Sequence, residues 1–128
     1  MKSTTVTGLM LGLLLALPAL AHHSGAAFDR DRSVTVKGTV NAVEWTSPHA
    51  RLKVDAKDEK GAAVTWDFEL PSPVTLTRRG WSKTALVPGD SVTVTGAPAR
   101  EHAHIAIATS VTDKSGKRLF AGAANSTD

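Results

Sequence analysis

The sequence predicts an all-β fold, a small five-stranded Greek-key barrel of the OB type with one short helix between its third and fourth strands. Two observations carry that expectation. Apolar and polar residues alternate with period two through most of the chain after Ser33, and a helix signature is confined to residues 72–80.

In the first strand Val34, Val36 and Val40 share one parity with Gly38 between them, whereas Val43 and Trp45 fall on the other. Such a phase break predicts a β-bulge near Asn41 and Ala42, bending one long strand so that it serves both halves of a barrel. The second strand begins after Pro48, with Ala50, Leu52, Val54 and Ala56 inward and Arg51, Lys53 and Asp55 outward. A turn at 58–61 leads to a third strand, where Val64, Trp66, Phe68 and Leu70 alternate with outward Thr65, Asp67 and Glu69. Ser72 then reads as a helix N-cap, Pro73 as the first helical residue and Gly80 as the stop. After a turn at 86–90, Val92 and Val94 mark the fourth strand, which Gly96 and Pro98 end. The fifth follows a loop at 97–101, with Ile105, Ile107 and Val111 on one parity, and a last turn at 115–117 precedes Leu119 and Phe120. A β-sandwich of this size needs about seven strands, so the count favours the barrel.

The composition is that of one globular domain: 128 residues, 41% hydrophobic and 21% charged. Residues 1–21 read as a signal peptide, with Lys2 at the positive start, an apolar run over 9–20, and Ala19-Leu20-Ala21 as the cleavage signal. The run is too short for an ordinary membrane-spanning helix of about 20 residues, so no membrane span is expected once the signal is removed. Residues 22–122 form the expected domain with its amino-terminal extension, and 123–128 a disordered tail. Cleavage after Ala21 predicts a periplasmic or secreted protein. With the signal removed, its basic residues exceed its acidic ones by only two, 14 against 12, and are interleaved with them, which argues against a nucleic-acid partner. The absence of cysteine excludes disulfides, thiol chemistry and thiolate metal sites.

Four motifs resemble a group of small exported bacterial proteins known as a domain family of unknown function. They are Ala21-His22-His23-Ser24, Gly38-Thr39-Val40 leading to Glu44-Trp45-Thr46-Ser47-Pro48-His49, Trp66-Asp67-Phe68-Glu69, and Arg79-Gly80-Trp81 followed by Leu86-Val87-Pro88-Gly89-Asp90. Many members of that family carry Asn where this chain has Ser47. The resemblance implies export and an OB-like barrel, and implies no activity. His102 and His104 match none of the motifs.

The five histidines, His22, His23, His49, His102 and His104, are the candidate metal ligands. Cleavage after Ala21 makes His22 the terminal residue, whose α-amine and imidazole can chelate one ion. A second imidazole, from His23 or His49, then completes the three-nitrogen arrangement known as a histidine brace, suited to copper. Thiolate-free imidazole ligation suits zinc and nickel as well. The loop before the second strand and the loop before the fifth are expected at the same end of the barrel, bringing His49, His102 and His104 together. His22 precedes a first strand that should start at the opposite end. Residues 22–32 would then have to fold back along the barrel, within their extended reach of roughly 36 Å.

The same histidines also fit a polar start, a strand cap and solvated loop positions. Outward Asp67 and Glu69 read as solvating residues, no nucleophile elbow, phosphate loop or dinucleotide fingerprint is present, and enzyme activity is not expected. Two functions remain: an exported protein binding copper or another transition metal through histidines, and a metal-free module whose barrel binds a protein, peptide or saccharide of the cell envelope. Two or more imidazoles within about 4 to 5 Å around one point would mark the first.

Overall fold

A computed structural model describes residues 27–122. The expected readings for the signal peptide, for His22 and His23, and for the tail lie outside them. The elements are β1 (Val34–Glu44), β2 (Arg51–Lys57), β3 (Ala63–Glu69), α1 (Pro73–Arg78), β4 (Ser91–Pro98), β5 (Ile105–Asp113) and β6 (Arg118–Ala121). The sheet runs β3-β2-β1-β4-β5-β6, and a parallel pairing of β3 with β5 closes the first five strands into a barrel.

β1 makes this closure possible by pairing in two directions. Val34 to Thr39 pair with β4, Thr39 to Glu44 pair with β2, and the register slips between Val40 and Ala42, leaving Asn41 as the extra residue. The bulge carries the inward side from Val36 and Val40 to Val43, as the phase break in the sequence predicts. At the crossover a side chain on Gly38 would strike the Asp55 carbonyl oxygen and lie 2.8 Å from Val54 Cγ1. Gly96 meets the same constraint against the Ile107 carbonyl oxygen, where a Cβ would lie 2.5 Å away. Both glycines permit backbones to approach where the barrel turns.

Leu52, Val54, Phe68, Leu70, Val94 and Val111 fill the interior and are fully buried. One end is plugged by α1, whose first turn is capped by the Ser72 hydroxyl accepting from the Thr75 amide at 3.2 Å. Gly80, at φ 87°, ends it in the left-handed region that glycine adopts without strain. Leu76 from α1 and Trp81 just beyond it are buried in the core. The Trp81 ring meets Trp45 edge-on at 6.4 Å and Phe120 at 6.5 Å, so the indole holds the helix against this end of the barrel.

Three expectations are corrected. The turn at 115–117 leads into a sixth strand, hydrogen-bonded to β5, which buries Phe120. The parity assigned to β5 does not hold along its length, because Thr95 pairs with Ser110 but Gly96 with Ala108, leaving Thr109 as a second bulge. Ala106, Ala108 and Val111 therefore face the main core, while Ile107 is buried on the other side with Phe28 and Ala97. Glu69, assigned to solvent, is 8% exposed. It lies opposite Arg51 in the β2–β3 register and beside His49, and these side chains cover it.

The close approach at the crossover sets a test. Replacing Gly38 by alanine should cost about 1–3 kcal/mol, the usual range for overpacking against a backbone that cannot retreat. The measurement is the shift of the urea unfolding midpoint at unchanged slope.

Candidate functional site

Strand direction decides where each histidine lies. Antiparallel neighbours set the start of one strand beside the end of the other, so Val34 at the start of β1 lies against Gly96 near the end of β4. The β4–β5 loop and the start of β1 therefore share one end, the open end. The β1–β2 loop, the close of β3 and α1 share the other, the helix end. The expectation that the loops before β2 and β5 lie at one end is thus corrected, and residues 27–32 need not travel along the barrel to meet the β4–β5 loop.

At the open end that segment is already beside the β4–β5 loop. Phe28 bridges to Ala99, the Asp29 amide donates to the Pro98 carbonyl at 2.8 Å, and the Arg100 amide donates to the Ala27 carbonyl at 2.9 Å. Phe28 is buried against Ala97 and Ile107, which fixes this short segment by apolar contact as well as by hydrogen bonds. Arg100 stands 3.5 Å from the Asp29 carboxylate across the same bridge.

His102 and His104 lie in the turn that follows. His102 is exposed and His104 half-buried, with its ring edge-on to Trp66 at a centroid distance of 5.2 Å. His104 has φ 59°, a left-handed conformation in which its carbonyl accepts from the Asp67 amide at 2.9 Å. The pair thus occupies a turn rather than a regular strand. Trp66 and His104 line a hollow of about 630 Å³ in the barrel mouth, rimmed by Lys37, Lys57, Glu59 and Lys60. That volume is within the range of small-molecule sites.

His49 is at the helix end. Its Nε2 stands 3.7 Å from Glu69 Oε1, and Glu69 is three residues beyond Trp66 on β3, roughly 10 Å along the strand. His49 therefore shares no centre with His104. Among the described residues no group of three or more His, Cys, Asp or Glu is arranged to hold a metal ion. A site at the open end would have to draw ligands from before Ala27.

The outer face of β1 to β3 carries linked charges. Arg51 Nε donates to Asp67 Oδ1 at 2.9 Å, and its NH1 lies 4.0 Å from Glu69 Oε2. Lys53 Nζ pairs with Glu44 Oε1 at 2.6 Å. The hydrogen bond to Asp67 raises the Arg51 pKa further above its ordinary value, against the effect of burial. Asp55 accepts from the Thr65 hydroxyl at 2.6 Å and the Asn41 amide at 2.9 Å, which hold its carboxyl below the usual 3.8. Glu44, Asp67 and Glu69 thus surround Arg51 and Lys53, and carboxylates outnumber cations in this group.

The sequence reading gives Glu69 to solvent, whereas the fold buries it. Its position opposite Arg51, with His49 two residues ahead of Arg51, was the signal available. Trp45 and Trp66 are half-buried against the core, and Trp81 packs the helix onto the barrel.

Fold and ends together define the class: a closed, OB-like β-barrel with one mouth plugged by a helix and the other open. Among the described residues no helix is long and apolar enough to cross a membrane. The chain belongs to DUF6152, a family of unknown function whose model matches residues 12–109. No curated protein matches it.

The depressed Asp55 pKa fixes the sign of a pH effect. A carboxyl held below its unfolded value stabilises the fold above that value and loses its contribution as pH falls through the folded one. The difference in urea midpoint between the wild type and Asp55→Asn should be full above about pH 5 and should close below pH 3.8.

Proposed function

We propose that this chain is an exported transition-metal-binding protein, cleaved after Ala21, which holds copper at the open end of the barrel. The α-amine and imidazole of His22 would be joined there by His102, with His23 and His104 as further donors. One observation carries the reading: the bridge of Phe28 to Ala99 and of Ala27 to Arg100 brings the chain that follows His22 and His23 to the loop of His102 and His104. His23 is four residues ahead of Ala27, at most about 14 Å of extended chain, and Arg100 is two residues ahead of His102. Amine and imidazole donors without thiolate suit Cu(II), and zinc or nickel after it.

A second reading rests on the hollow in the same mouth. Its Trp66 ring and lysine rim suit a metal-free module that binds a saccharide or the chain of an envelope protein.

Titration with Cu(II), followed by calorimetry and electron paramagnetic resonance on protein processed to its true amino terminus, separates the two. Tight one-to-one binding is expected. It should weaken at least tenfold both when one residue is added ahead of His22 and when His102 is replaced by alanine. Weak binding that neither change alters would overturn the copper reading in favour of the metal-free module.

A further inference from the structure

We infer that His49 and Glu69 form a separate cation site at the helix end, suited to a divalent ion that accepts mixed nitrogen and oxygen donors, Zn(II) first. The inference starts from an imbalance. Glu69 is 8% exposed, and its Oε1 is buried without a hydrogen-bond partner among the described residues. A buried polar atom without a partner costs about 1–3 kcal/mol, more when charged, so Glu69 Oε1 calls for a ligand.

Neighbouring side chains do not supply it. At 3.7 Å, His49 Nε2 and Glu69 Oε1 are beyond hydrogen-bond distance. Arg51 is committed through Nε to Asp67, and its NH1 comes no nearer than 4.0 Å to Glu69 Oε2. The separation does suit two donors flanking one ion. Metal–donor bonds of about 2.0–2.1 Å at a tetrahedral angle set donor atoms about 3.4 Å apart, a few tenths of an ångström from the geometry here. The surroundings have the right sign, since Glu44, Asp67 and Glu69 outnumber the cations Arg51 and Lys53 that pair with them. The imidazole selects against calcium and magnesium, which prefer all-oxygen shells. Solvent would complete the coordination, so this site is expected to be weaker than one made by three protein nitrogens.

The site does not depend on the copper reading, and its test removes that reading's ligands. In a chain with His22, His23, His102 and His104 replaced by alanine, His49 is the last imidazole. Zn(II) titration by calorimetry should still find one equivalent, and the imidazole ¹⁵N resonances of His49 should move in step with it. Glu69→Gln, which keeps the side-chain volume, should weaken binding at least tenfold, and Co(II) in place of zinc should give a visible spectrum lost in His49→Ala. No binding, unmoved His49 resonances, or affinity indifferent to Glu69→Gln in a chain with unchanged circular dichroism would each overturn the inference. The resonance measurement leaves His49 intact, so it decides the question even if His49→Ala fails to fold.

Discussion

Everything in this fold depends on one strand changing partners midway. β1 pairs with β4 over its first half and β2 over its second, and it does so because Asn41 is extra and Gly38 has no side chain. A straight strand of the same composition would extend a flat sheet and leave its apolar face in water. Bending lets Val36, Val40 and Val43 look into the same interior, and Leu52, Val54, Phe68 and Val94 complete it. Without disulfides, that enclosed apolar volume is the main source of stability for a domain of this size.

The strands were legible in the sequence wherever burial is one-sided. Ala50, Leu52 and Val54 alternate with charged residues because the second strand has one dry face and one wet face. The helix was equally legible, since Ser72, Pro73 and Gly80 act through local backbone chemistry that needs no tertiary partner. β5 was misread for the converse reason. It is covered on both sides, by the main core and by Phe28, so its apolar residues lose the alternation that reveals facing, and the bulge at Thr109 is hidden among small residues. β6 was too short to declare itself.

The arrangement of the histidines was the least legible feature, because it turns on strand direction around the closed barrel rather than on any local pattern. The registers on the two sides of β3 set His104 against Asp67 and His49 against Glu69, two residues farther along the strand. The register of β1 on β4 and the bridge of Phe28 to Ala99 carry the segment before β1 to the β4–β5 loop. Two candidate centres thus replace the single cluster that the expected loop placement implied, and each is tied to different elements.

The parallel pairing of β3 with β5 is confined to residues from Asp67 opposite Ile105 to Glu69 opposite Ile107. Every other strand of the barrel is held to its neighbours over longer antiparallel ladders. This contact is the slit along which the cylinder was rolled shut, and its two ends are marked by His104, whose carbonyl takes the Asp67 amide, and by Glu69. A molecule gripping either end acts as a clasp on the slit, and by mass action its binding energy is spent in keeping the cylinder closed. Occupancy at either end of this seam would therefore add RT ln(1 + L/Kd), with L the free ligand concentration, to its resistance to parting.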